Sequence, residues 1–262
     1  MGLQFDPNVF DPIGGPDSKW KKRAGGPNVA EHFDDFTDGW GFEANDPDNS
    51  GKFSETANLG EYLVTVIDGD TDSGEIIACA DDAPGGVLTI TTNDKAADAV
   101  QIAANGEAWA LASGRDIVFE WRGSIGDVDA CDWLVGLTIG TTVLAGTTDF
   151  IGFGNSANTA DVYCGNGKDA GGVEPFSGGA ATTRTDTGTN AANGTASTNM
   201  LTLRFEVTGT SEIRYFVDGV EVATHTTNLP DNEAMTHTIA IRVPGAGADS
   251  IYTDYIYVAA TR

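Results

Sequence analysis

Beyond Asp38, apolar and polar residues alternate with a period of two, and no stretch sustains the period of an amphipathic helix. In "MLTLRFEVTG", Leu201, Leu203, Phe205 and Val207 fall on one face, and Thr202, Arg204 and Glu206 on the other. "DIVFEWRG" sets Ile117, Phe119 and Trp121 against Val118, Glu120 and Arg122, and "HTIAIRV" turns Ile239, Ile241 and Val243 inward. "GGVLTITTN" alternates in the same way, and "YTDYIYVAATR" reads as a last strand. "SEIRYFVDGVEVATH" is two strands joined at Asp218-Gly219, a pair suited to the positive-φ turn of a hairpin. About a dozen such strands are predicted. Each buries one face and needs a second sheet to cover it, so the predicted class is all-β, a β-sandwich over residues 31–262.

Two segments break the pattern. Residues 1–30 are rich in Pro and Gly, have no period, and hold Lys19, Lys21, Lys22 and Arg23, four of the chain's fourteen basic residues. Such a segment builds no core and is read as an extended N-terminal arm that docks on a neighbouring subunit. Residues 165–199 are nearly all Gly, Ala, Thr and Asn around one large apolar residue, Phe176, and are read as a long loop.

Charge narrows the partners. A net charge of −25 repels phosphate backbones and anionic membranes, so neither nucleic acid nor a membrane is expected. No apolar run is long enough for a transmembrane helix, and the first residues lack the apolar core of a secretory signal. Cys79, Cys131 and Cys164 are odd in number and widely spaced, which fits reduced structural thiols made in a cytoplasm.

The candidate chemistry is sparse. "VIDGDTDSGE" puts Asp68, Asp70 and Asp72 at the 1, 3, 5 spacing of an EF-hand loop. Ser73 stands where that loop needs glycine, and Cys79 where it needs a bidentate glutamate. The stretch is read as an acidic turn, with Asp68, Asp70 and Asp72 the weak candidate ligands of a structural calcium. Glycoside hydrolysis with retention needs two carboxyls roughly 5–5.5 Å apart. Glu120, Asp127, Asp129 and Asp132 are the nearest candidates and supply no such run on one strand face. His225 and His237 bracket "TTNLPDNEAMT" and are read as solvent-facing strand-end residues, with a zinc set completed by Asp231 or Glu233 as the minority reading. His32 has no evident partner. Trp40, Trp109, Trp121 and Trp133 are assigned to the core, with a sugar-stacking platform as the minority reading. No catalytic residue is assigned, and the chain is expected not to be an enzyme.

Taken together, "DDAPGGVLTITTND", "NGEAWALASGRDIVFEWRG", "DWLVGLTI", "YFVDGVEVATHTTNLPDNEAMTHTIAIR" and "YTDYIYVAATR" resemble tailed-bacteriophage structural proteins with a concanavalin/laminin-G-like jelly-roll domain. The resemblance spans Phe33 to Arg262. It implies a virion component on the outer capsid surface, a decoration or cement protein whose partner is the major capsid protein. Phe5, Phe10, Trp20, Lys21, Lys22 and Arg23 would be its capsid-docking residues, and a trimer would suit the three-fold axes of a capsid lattice. The alternative is a carbohydrate-binding head-fibre or tail-associated adhesin that grips host surface glycans.

Overall fold

A computed structural model describes residues 29–36, 41–43, 54–59, 62–67, 76–79, 86–93, 96–139, 144, 147–156, 159–170, 175–176, 180–231, 233–245 and 247–262. These residues contain no helix and form two antiparallel sheets. Sheet A runs in space through β15 (Val220–His225), β14 (Glu212–Val217), β13 (Leu201–Thr208), β8 (Asp116–Ile125), β17 (Ser250–Thr261), β6 (Leu88–Thr91), β5 (Ile76–Cys79) and β2 (Gly41–Glu43). β1 (Val29–Asp34) lies against the second half of β17. Sheet B runs through β12 (Thr182–Asn190), β11 (Asp161–Gly167), β10 (Phe150–Asn155), β9 (Asp132–Thr138), β16 (Thr236–Arg242), β7 (Ala99–Ala104), β4 (Tyr62–Ile67) and β3 (Ser54–Leu59).

The period-two pattern supplies the core between the sheets. Ile117, Phe119 and Trp121 of β8, Leu203, Phe205 and Val207 of β13, and Ile239 and Ile241 of β16 are all buried in it. Phe119 and Phe205, opposite each other in register, stack with ring centroids 4.9 Å apart. Tyr215 crosses between the layers and donates its hydroxyl to the Gly165 carbonyl at 3.0 Å. Asp218 and Gly219 have φ of +48° and +79°, the two positive values that a two-residue hairpin turn requires. Trp109, Trp121 and Trp133 are core residues, and Cys131 and Cys164 are buried free thiols. Burial pushes the Cys164 thiol up to about 12.

Three expectations change. The described residues carry seventeen strands rather than a dozen. The stretch 165–199 is not one loop: β11 reaches Gly167, and Thr182–Asn190 forms the edge strand β12. Its alternate β-branched threonines suit a half-covered edge better than a mobile excursion. Within that stretch Phe176 is fully buried. The sandwich also begins earlier than residue 31, because β1 pairs with β17 from Val29 onward. Trp40 and the docking residues Phe5, Phe10, Trp20, Lys21, Lys22 and Arg23 lie outside the described residues, as do Asp68, Asp70 and Asp72.

Candidate functional site

The outward face of sheet A is assembled by an irregularity in β17. Ile251 and Thr253 point into the core, as do Ile256 and Val258, so one residue too many lies between the two sets. The pairing with β8 shifts register between Thr253 and Tyr255, as a β-bulge does, and Asp254 is the extra residue. Thr253 is anchored inside by the Trp121 indole N–H, which donates to its hydroxyl at 3.0 Å. Tyr255 and Tyr257, two residues apart, stand on the outward side beside Asp254.

Phe33 of β1 faces the same way. It is opposite Tyr257 in register, with ring centroids 5.9 Å from Tyr255 and 6.5 Å from Tyr257. Phe33 remains 44% exposed, while Tyr257 is buried beneath. Arg122 of β8 pairs with Asp254 at the rim, and both are partly exposed. Tyr255 donates its hydroxyl to Glu120 Oε1 at 2.6 Å. Burial first and the Glu120 charge second push the Tyr255 hydroxyl far above its ordinary range, so it stays a protonated donor. Burial likewise raises Tyr257, whose hydroxyl has no hydrogen-bond partner. The result is an aromatic surface edged by a guanidinium and a carboxylate, the combination of apolar ring and polar rim that suits a ring-shaped, hydroxyl-rich ligand.

The outward face of sheet B is built differently. Its central positions are Leu134 and Gly136 of β9, Phe150, Gly152 and Gly154 of β10, and Gly165 and Gly167 of β11. The Phe176 ring occupies the space above Gly154 and Gly165. A Cβ on Gly154 would meet it at 2.3 Å, and one on Gly165 at 3.3 Å. Phe150 packs edge-on against Phe176 at 5.6 Å. Half-buried Tyr163 is capped by the Arg184 guanidinium, 4.5 Å from the ring centroid.

The candidates read from sequence disperse. Glu120 is buried under Tyr255 rather than facing a cleft, and Asp132 forms an ion pair with Arg242 at 2.5 Å. Asp127 sits beside Asp129, whose hydrogen bond is the first cause of its raised carboxyl; its own N–H is held by Asp249 at 2.8 Å. The two histidines are not solvent-facing and do not join the two acids. His225 Nδ1 lies 2.7 Å from Asn166 Oδ1, and its Nε2 2.8 Å from the Thr185 hydroxyl. His237 accepts a hydrogen bond from the Trp109 indole at 3.3 Å and packs on His32, with ring centroids 4.4 Å apart. Asp231 and Glu233 gather instead around Asp149. The platform itself was missed, because Phe33 and Tyr255 are brought together only by pairing the first and last described strands. The signal available was the Tyr-x-Tyr spacing in "DYIY", which puts both rings on one face.

No protein-family model matches the chain, and no curated protein matches it. Solved structures do. An endo-1,3-β-glucanase from Streptomyces sioyaensis superposes with a TM-score of 0.53 and 17% identity, covering 91% of this chain and 98% of that one. A β-glucanase from Bacillus licheniformis gives 0.51 and 12%, covering 87% and 97%. β-Agarase A from Zobellia galactanivorans gives 0.50 and 13%, covering 89% and 93%. These similarities correct the expectation that the chain is not an enzyme, because the sandwich it adopts is one on which carbohydrate-active enzymes are built. They identify the fold as a concanavalin-like jelly-roll β-sandwich.

Proposed function

We propose that this chain is a polysaccharide-recognising component of a phage particle, with Phe33, Tyr255 and the Arg122–Asp254 pair as its sugar-contacting surface. The observation that carries this reading is the exposed Phe33 ring, set beside Tyr255 and edged by charged donors and acceptors. A pyranose ring stacks on such a surface through its C–H face while its hydroxyls meet the polar rim. Support comes from the names of the superposed proteins, two glucanases and an agarase, and from the phage resemblance of the sequence.

The test is affinity electrophoresis through gels containing β-1,3-glucan, mixed-linkage β-glucan or agarose, with reducing-sugar release followed in parallel. Retardation by at least one polysaccharide is expected, and Phe33→Ala should weaken it by about tenfold with an unchanged circular-dichroism spectrum, since truncating one buried-upon-binding ring removes roughly 1–2 kcal/mol. Absence of both retardation and release across the panel overturns the reading.

A second reading, capsid decoration through the N-terminal arm, is favoured by the clustering of Lys19, Lys21, Lys22 and Arg23 in a chain of net charge −25. Bound copies would stabilise the assembled shell because they bind it and not free subunits. Cosedimentation with capsids lacking the protein decides it. A chain without residues 1–28, which keeps β1 whole, should fail to pellet, and full occupancy by the shortened chain overturns the arm's role.

A further inference from the structure

At one end of the sandwich three connections converge: β9 to β10, β11 to β12, and β15 to β16. Asp149 immediately precedes β10, and its carbonyl accepts the Ile139 N–H at 2.9 Å, closing the base of the first connection. The second is pinned to it where the Ala170 N–H donates to the Thr148 carbonyl at 2.7 Å. The third is tied down by buried Asn166, whose amide donates to the carbonyls of Thr227 at 2.9 Å and Asn228 at 2.6 Å. These ties bring Asp231 and Glu233 over Asp149, with one carboxylate oxygen of each residue within 4.8 Å of the others.

Asp149 is 1% exposed. Among the described residues its Oδ1 accepts only a long hydrogen bond from the Asp169 N–H, 3.4 Å, and its buried Oδ2 has no partner. Asp231 Oδ1 is buried without a partner as well. Lys168 offsets one charge, 3.4 Å from Asp231 Oδ2. A carboxylate oxygen buried without a donor and facing two further carboxylates carries both a desolvation cost and a repulsion. Such an arrangement persists when something positive completes it.

We infer that Asp149, Asp231 and Glu233 form a calcium-binding site that ties the β9–β10 and β15–β16 connections together. The donor set is oxygen only, which suits a hard cation and disfavours zinc or copper. With calcium–oxygen bonds of about 2.4 Å, two oxygens bound to one ion lie at most about 4.8 Å apart, and the three carboxylate oxygens here are within that limit of one another. Glu233 is exposed and supplies the outer wall, leaving room for water to fill the remaining coordination positions. Burial, together with the charges of Asp169, Glu233 and Asp231, holds the Asp149 carboxyl above the usual range in the ion's absence. This site is separate from the aromatic platform, and its test is independent of polysaccharide binding.

The experiment is calorimetric titration of chelator-treated full-length protein with calcium chloride into the millimolar range, together with thermal unfolding with and without calcium. Wild type should bind calcium and unfold at a higher temperature in its presence. Asp149→Asn and Glu233→Gln should each bind one calcium fewer per chain, or bind it at least tenfold more weakly. Glu233 is exposed, so that variant decides the matter if Asp149→Asn does not fold. Absence of binding by wild type, or wild-type stoichiometry and affinity in either folded variant, overturns the site.

Discussion

The two outward faces of this sandwich bury their side chains by opposite means. On sheet A buried carboxylates are covered by side chains from neighbouring strands of the same sheet. Glu206 is buried beneath the guanidinium of Arg214, with Arg204 at 3.8 Å, and Arg204 and Arg214 both lie over the Phe216 ring. Glu120 is buried beneath Tyr255. On sheet B the covering is apolar and comes from the connection between β11 and β12, as Phe176 lies on Gly154 and Gly165. Alternation along a strand thus decides which way a side chain points, and the chain's other segments decide whether it meets water.

The comparison breaks most visibly at Phe176. Phe176→Ala should destabilise the protein by about 3–5 kcal/mol in urea unfolding, because it empties a filled site over Gly154 and Gly165, which have no side chains to collapse into it. Adding Gly154→Ala to that variant should cost less than adding it to wild type, since the clash with the ring at 2.3 Å is gone and only that with the Trp133 carbonyl oxygen at 2.1 Å remains. Equal cost in both backgrounds would mean that the ring does not set the glycine requirement.

The layer between the faces gives the next largest effect, and it depends on pH. Burial, with His32 beside it, pushes His237 down to about 3 from 6.5. Its folded form stays neutral while the unfolded chain takes up a proton below about pH 6.5. Stability is therefore complete above that pH and is lost as pH falls toward 3, by roughly 1.4 kcal/mol per pH unit. His237→Gln keeps an acceptor for the Trp109 indole and should flatten this limb of the stability curve. An unchanged acid limb would assign the acid loss to other groups.

The smallest effect sharpens the polar side of the comparison. Tyr255→Phe removes a single hydroxyl from Glu120 and should cost about 1.5–3 kcal/mol, the range for a hydrogen bond to a charged group. A loss as large as that of Phe176→Ala would mean that the polar covering of sheet A is as cooperative as the aromatic covering of sheet B.

How much of this was legible follows from the range of the interactions. The strands β8, β13 and β16 and the Asp218-Gly219 turn are local patterns and stand where the alternation places them. β12 was hidden because its threonines and glycine alternate without an apolar face, so only its β-branching spoke for a strand. Glu120 and Glu206 look like solvent positions in the sequence, and their burial depends on Tyr255 and Arg214 from neighbouring strands. The acids at 231 and 233 were noticed, but their companion Asp149 belongs to another strand end, and no spacing rule reaches across the sheet order. The two histidines were paired with those acids by proximity in sequence, whereas the core takes both rings inward.

The pairing of Val29 with Thr261 has a practical meaning for anyone handling this protein. The start of the first described strand and the end of the last lie side by side and share one doorway on sheet A. A purification handle placed after Arg262 therefore stands beside the start of β1. The Asp218-Gly219 hairpin, on the far edge strand pair, is the place for a label that leaves that doorway clear.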